Sequence, residues 1–259
     1  MTKRYLLQRG ALLLGQIGFV TALFLLWERG ANSGSVDPVF FSRPSAIWKQ
    51  IWEWRTLGSL WPNIRTTMEV FALGYTIGTV IGLTMGVLIG TVRLVKEILE
   101  PFLSFFNAMP RLILLPLLVV WFGFGYAPKV ILVVLVISFV ITINVSAGIR
   151  EVRADLLNNA KLMGAGRFQL IKHVYGPSIA LWVLSTARLT VGYAFNATVA
   201  GEFIGTNAGV GFLLALGQNS TNATQVWAAL GIIAVLAVVL DTFLSLVETR
   251  ATRWMPTFN

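Results

Sequence analysis

Few side chains in this sequence are equipped for chemistry, and those that are stand in unusual places. Asn107, Arg111, Asn144, Arg188 and Glu202 interrupt long apolar runs. Polar groups in such runs either contact a polar solute or pair with one another to hold helices together. Arg111 faces a water-filled cavity, snorkels to an interface or pairs with an acid, and its position leaves all three open. Covalent and metal chemistry lack their parts. His173 is the only histidine and there is no cysteine. A metal cluster therefore has no second imidazole and no thiolate, and there is no Cys nucleophile. No G-x-x-x-x-G-K-[ST] phosphate loop, HExxH or GxSxG occurs. Gly123-Phe124-Gly125, Gly164-Ala165-Gly166 and Gly209-Val210-Gly211 lack the third glycine of a dinucleotide loop. The chain reads as non-catalytic, with no cofactor of its own.

The elements that must position those residues are membrane spans. Of 259 residues 56% are hydrophobic and 12% charged, about half the charged share of a soluble domain. The apolar residues come in runs of about 20, the length that crosses a bilayer. The runs are Gly10 to Trp27, Val70 to Val92, Phe102 to about Gly125, Val130 to Ile149, Ser178 to about Gly201 and Val226 to Val247. This predicts an all-α membrane protein with six transmembrane helices. Residues 1–66 hold the first span and a segment with Trp48, Trp52, Trp54 and Trp61, where Ser45 to Arg55 is expected as an interfacial helix. Residues 67–259 hold the other five spans. Lys3, Arg4 and Arg9 precede the first span without a small-x-small cleavage site, so it is read as retained.

Local patterns refine this picture. Gly74, Gly78, Gly82, Gly86 and Gly90 recur every fourth residue in the second span. Such a stripe forms a flat groove that another backbone can approach. Here it predicts a helix contact on which assembly of a pair of such chains would depend. Arg93, Lys96, Glu97 and Glu100 predict a polar turn, with Pro101 opening the third span. Pro110 and Pro116 predict local breaks in that span. Residues 150–177 form a basic loop that still carries apolar residues at helical spacing: Leu156, Leu157, Ala160 and Met163, then Phe168, Ile171 and Val174. Gly164 and Gly166 separate the two sets, which predicts two short amphipathic helices hinged at a glycine turn. Basic residues are denser at 3–9, 93–96, 150–172 and 250–253 than in the intervening loops, where Lys129 stands as an outside cation. That places both termini and the hinged loop in the cytoplasm. The net charge of +9 is then a property of cytoplasmic loops near anionic lipid, not a sign of nucleic-acid binding.

The hinged loop resembles the signature loop of ATP-binding-cassette (ABC) importer permeases. That signature is Glu-Ala-Ala, a Gly six positions after the Glu, nine residues, then Ile-x-Leu-Pro. Here Asn158-Asn159-Ala160, Gly164 and Val174-Tyr175-Gly176-Pro177 stand at those places. Ala160, Gly164 and Pro177 match, whereas Asn158, Asn159 and Gly176 depart. Met109-Pro110, Leu115-Pro116-Leu117 and Trp121-Phe122-Gly123-Phe124-Gly125 resemble a pattern of the sulfonate, taurine and nitrate branch, as do Thr186-Ala187-Arg188-Leu189 and Val199-Ala200-Gly201-Glu202. The resemblance implies a type I ABC importer permease fold in a bacterial inner membrane. It implies a homodimer or paired permease, a cytoplasmic ABC ATPase dimer holding ATP and Mg, and an extracytoplasmic solute-binding protein. It implies that Asn158, Asn159, Ala160, Met163, Gly164, Ala165, Phe168 and Pro177 form the ATPase-coupling loop. Asn107, Arg111, Asn144, Arg188 and Glu202 are the candidate pathway residues. The alternative is an ion-coupled secondary transporter. That class calls for midplane titratable groups or inverted repeats. Here Glu202 and Asp241 stand near span ends, and no clear repeat is found.

Overall fold

A computed structural model describes residues 2–152, 154–205 and 207–251, and every regular element among them is helical. For some helical residues, including Lys161, Arg167, Pro177 and Arg188, only the backbone is described. The elements begin with α1 (Thr2–Asn32), α2 (Pro38–Phe41), α3 (Pro44–Thr56), α4 (Leu60–Thr91) and α5 (Arg93–Ala108). A 3-10 turn (Arg111–Leu114) leads to α6 (Leu115–Phe122), α7 (Tyr126–Arg150), α8 (Ala154–Leu162) and α9 (Arg167–Leu170). A π-helical turn (Ile171–Tyr175) leads to α10 (Gly176–Gly205), α11 (Val210–Asn219) and α12 (Ala223–Ala251). The chain divides into two units, residues 1–62 with 213–232 and residues 63–212 with 233–259.

In the first unit, Pro38 and Pro44 each stand in the first turn of their helix, where a missing N–H costs least. Asp37 caps α2 by accepting from Val39 N at 2.9 Å. The residue at the start of α3, Arg43, gives it no side-chain cap. Glu28 of α1 takes that role. Its Oε2 accepts from Ser45 N at 3.0 Å and its Oε1 from the Ser45 hydroxyl at 2.8 Å. Arg43 Nη1 donates to Asn32 Oδ1 at 3.1 Å. These bonds hold the Ser45 N–H and hydroxyl against the Glu28 carboxyl and keep it below its ordinary pKa. At the other end of this unit, the Trp227 indole N–H donates to Phe40 O at 3.2 Å. The expected Ser45–Arg55 helix lies within α3, with Trp54 buried and Trp48 and Trp52 exposed.

In the second unit the glycine stripe finds its partner. A Cβ placed on Gly74, Gly78, Gly82, Gly86 or Gly90 would stand within 3.0 Å of Val133, Ile137, Ile141, Val145 and Ile149 respectively. Those five residues repeat every fourth position along α7 and belong to the buried core with Val70, Ala194 and Ala197. Only a residue without a side chain lets the two backbones come so close. The expected close contact is present, but its occupant is α7 of the same chain. The stripe is filled within one subunit, so it is not a surface left over for pairing.

Among the described residues α4, α7 and Ala223–Leu246 are long and apolar enough to cross a membrane. Arg93–Ala108 and Arg111–Phe122 qualify together as a pair bent by 89°. The long helices α1 and α10 contain the first and fifth expected runs. Three local expectations are corrected. The polar turn at 93–100 is helical, because Arg93 pairs with Glu97 at 2.7 Å and Lys96 with Glu100 at 3.8 Å one helical turn apart. Pro101 therefore lies inside α5 and does not open a span. Pro116 sits in the first turn of α6, where it needs no donor, so the break occurs once, at Met109-Pro110. The short helix α11 was not foreseen in the glycine-rich stretch after Glu202.

Candidate functional site: a cavity at the broken span

The bend at Met109-Pro110 opens a cavity of about 650 Å³ in the second unit. That is within the usual range for a small-molecule site. Its polar lining is Asn107 and Arg111 from the bend, Asn144 from α7, and Thr186, Tyr193 and Asn196 from α10. Apolar side chains such as Val136, Val140 and Leu189 complete the wall. Arg111 is the one charged side chain among these lining residues, and no carboxylate is among them.

The break explains how Arg111 reaches this place. Pro110 has an extended backbone (ψ 100) and cannot donate to the helix before it. The chain restarts as a tight 3-10 turn whose first residue is Arg111. Arg111 Nη2 then donates to Asn107 Oδ1 at 2.9 Å, so the residue before the break fixes the residue after it. The guanidinium carbon lies 5.6 Å from the centroid of the Phe139 ring, close enough for a cation–π contact. Its Nε is buried and has no hydrogen-bond partner among the described residues. Asn144 donates Nδ2 to Val140 O at 2.8 Å, which leaves its carbonyl oxygen outside that bond.

The five sequence candidates do not all meet. Asn107, Arg111 and Asn144 do. The Arg188 side chain lies outside the described residues, although its backbone belongs to α10. Glu202 does not line the cavity. It is fully buried and accepts at Oε2 from the Thr67 hydroxyl (2.9 Å) and from Gly211 N (3.0 Å). Thr67 in turn accepts from Val210 N at 2.9 Å, and Asn63 Oδ1 accepts from Gly209 N at 2.7 Å. A carboxylate at the first turn of α11 meets N–H groups that a helix start leaves unpaired. A Cβ on Gly209 (φ +116) would fall on that carboxylate, so glycine is required there for space and for backbone conformation. Lys129, counted as a loop cation, is buried and donates to Ala208 O at 2.8 Å. Thr186, Tyr193 and Asn196 were missed as a group. Tyr193 follows Thr186 by seven residues and Asn196 follows Tyr193 by three, so they return to one helix face, a period visible in the sequence once α10 is known.

The hinged loop has the expected outline. α8 ends at Leu162, Gly164 takes φ +82, and α9 starts at Arg167. Leu162, Met163 and Phe168 are among the most exposed large apolar side chains, at 85%, 88% and 75%. Asn158 and Asn159 are also exposed, and Ala160 and Ala165 are intermediate. The Pro177 side chain is outside the described residues, with its backbone in α10.

Comparison with known proteins gives three findings. The sequence pattern of the family described as binding-protein-dependent transport system inner membrane component matches residues 78–253. The putative aliphatic sulfonates transport permease protein SsuC of Bacillus subtilis is 28% identical over 257 residues, covering 99% of this chain and 91% of the relative. The taurine transport system permease protein TauC of Escherichia coli is 26% identical, covering 92% and 88%. Among solved structures, a bacterial ABC transporter involved in import of the acidic polysaccharide alginate superposes with a TM-score of 0.62. It is 15% identical and the match covers 95% of this chain and 98% of that one, which speaks for the fold alone.

Proposed function

The chain belongs to the family of binding-protein-dependent transport system inner membrane components, and from that premise we propose that it is the permease subunit of an ATP-driven importer of a small organic or inorganic anion. The observation that carries the anion is the cavity lining, which among the described residues holds one guanidinium, three amides and two hydroxyls and no carboxylate. An anion of sulfonate or nitrate type accepts hydrogen bonds from every one of those groups. The guanidinium is held by one amide and keeps a buried N–H without a partner, so it can accept a new ligand without first breaking an ion pair.

In this reading six spans cross the membrane, with α1 and α10 joining the three clear apolar helices and the bent pair. Both termini and the hinged loop lie in the cytoplasm. The loop residues Asn158, Asn159, Ala160, Met163, Gly164, Ala165, Phe168 and Pro177 meet an ATPase subunit, which holds ATP and Mg. A second permease and an extracytoplasmic binding protein complete the assembly. Exposed Met163 and Phe168 support this, because large apolar side chains on a basic loop gain by being covered. The test is uptake of labelled sulfonates by proteoliposomes holding the permease and its ATPase, with the binding protein outside. Uptake should require ATP on the ATPase side and should fall about tenfold or more in Arg111→Gln. Full uptake in that variant would remove Arg111 from the path.

A further inference from the structure

The segment that follows α1 carries a charge that its place does not explain. Residues 28–62 hold four basic residues against three acids, Glu28, Asp37 and Glu53. Two of those acids are occupied as helix caps, Asp37 on Val39 N and Glu28 on Ser45. The segment is thus positive toward its surroundings. On the orientation proposed above it lies outside the cytoplasm, where lysine and arginine are ordinarily sparse. The first unit also fixes the height of this segment. The apolar run of α1 ends at Trp27 and that of α12 starts at Val226, and the Trp27 and Trp227 rings meet at 5.3 Å, edge to face. Two apolar helices therefore share one end, marked by the side chain that favours the headgroup zone. The α2–α3 segment is tied to that level twice, by the Trp227 indole N–H on Phe40 O at 3.2 Å and by Ser45 N on Glu28 at 3.0 Å.

We propose that α3 lies on the bilayer surface and that its Trp48–Trp52–Arg55 strip binds the headgroups of anionic phospholipid. The helix has the three faces this needs. Trp54 is buried and anchors one side. Trp48, Trp52 and Arg55 stand four and three residues apart, so they share an exposed strip. Lys49, Glu53 and Thr56 repeat with the same steps and form a polar strip beside it, turned to water. Indoles 66% and 50% exposed gain by entering the boundary between headgroups and acyl chains. The Arg55 guanidinium lies 4.8 Å from the centroid of the Trp52 ring, so the indole that enters the boundary brings a cation with it. A guanidinium bonds a lipid phosphate through two N–H groups at once. Lipid is favoured over a protein partner because the strip sits where two apolar helices end, and because its charge complements an anionic surface. The proposal rests on α1 and α12 crossing the membrane and not on which solute is carried.

The experiment uses the full chain in nanodiscs of phosphatidylcholine with a minor fraction of phosphatidylglycerol. A fluorophore is attached to a single cysteine, Trp48→Cys or Glu53→Cys, in a chain with no cysteine of its own. One quencher is a nitroxide high on an acyl chain, carried by either phospholipid at equal amount. The other is acrylamide in the water. The label in Trp48→Cys should be quenched by lipid nitroxide and shielded from acrylamide, and the label in Glu53→Cys should show the reverse. Nitroxide on phosphatidylglycerol should be enriched at Trp48→Cys about fivefold over nitroxide on phosphatidylcholine, the contribution of one cation near the surface. That enrichment should shrink with added salt and should be lost when Arg55→Gln is added. Arg55 is exposed, so its replacement leaves the packing of α3 intact. Equal quenching by the two lipids, or an enrichment that survives both salt and Arg55→Gln, would overturn the choice of anionic lipid. Acrylamide reaching both labels equally would place the strip in water and overturn the proposal. Shielding of Trp48→Cys that appears only when a solute-binding protein is added would give the strip to that protein instead. None of these outcomes depends on the solute or on ATP, so the importer reading stands or falls apart from them.

Discussion

At the scale of single residues, the buried carboxylate and the cavity guanidinium have opposite tasks. Glu202 binds its own protein: Thr67 and Gly211 occupy Oε2, and α11 begins on it. Replacing it with Ala takes the acceptor from the buried Gly211 N–H, while the Thr67 hydroxyl keeps Asn63 O at 3.1 Å, a loss of about 2 kcal/mol. Thermal unfolding in detergent should therefore show Glu202→Ala well below wild type, with Glu202→Gln between them. Equal melting of all three would deny Glu202 a structural role. Glu28 gives a pH-dependent counterpart outside the spans. Its carboxyl is depressed chiefly by the Ser45 N–H, so the cap is fully formed above the ordinary glutamate pKa and is lost as pH falls through the lower folded value. Protection from hydrogen exchange at the first turn of α3, taken relative to the intrinsic rate at each pH, should fall on acidification in wild type. In Glu28→Gln that protection should be low already at neutral pH and should not change with acid. Arg111, Asn107 and Asn144 were legible because a polar side chain in an apolar run has few reasons to be there. The partners of Glu202 were not, since Thr67 lies 135 positions away in sequence and nothing local links them. The burial of Lys129 was hidden for the same reason: its partner, Ala208 O, is a backbone atom that sequence does not display.

At the scale of elements, period and turn chemistry were informative and end effects were not. The four-residue glycine repeat announced a close helix contact, and α7 answers it with β-branched residues at the same period. The repeat could not say which helix would answer. Filling the groove in a Gly82→Leu, Gly86→Leu double variant places each new Cβ within 2.7 Å of Ile141 or Val145. Separating the helices should cost about 2 kcal/mol or more. Folded yield and thermal midpoint should fall even for the isolated subunit. Normal values would contradict the α4–α7 contact. The break in the third span was foreseen from its prolines, but not that only Pro110 would make it. A proline in the first turn of a helix is harmless, and the sequence alone does not place that turn. At Gly164 the backbone has φ +82 and a Cβ would meet nothing within 4 Å among the described residues. A Val there is strained by about 1–2 kcal/mol, with no clash among those residues. Gly164→Val should therefore insert and fold while co-purifying less ATPase. Wild-type ATPase recovery and wild-type stimulated hydrolysis would count against the coupling assignment.

At the scale of the whole molecule, composition fixed the class and left the assembly open. An apolar share of 56% with 12% charge admits little besides a membrane protein. Six spans, two copies and the direction of travel depend on chains and a bilayer beyond this one. Orientation is checked with a single cysteine at the exposed Leu162, convenient in a chain without cysteine. It should resist impermeant reagents in intact cells and react in inverted vesicles. On the reading proposed above, this chain carries a solute using work done by a partner. The most direct measurement is initial uptake of a labelled alkanesulfonate into proteoliposomes holding the permease and ATPase, with ATP supplied or withheld and with an uncoupler present or absent. The account predicts uptake that needs ATP and survives the uncoupler. Uptake that proceeds without ATP and collapses with the uncoupler would contradict it.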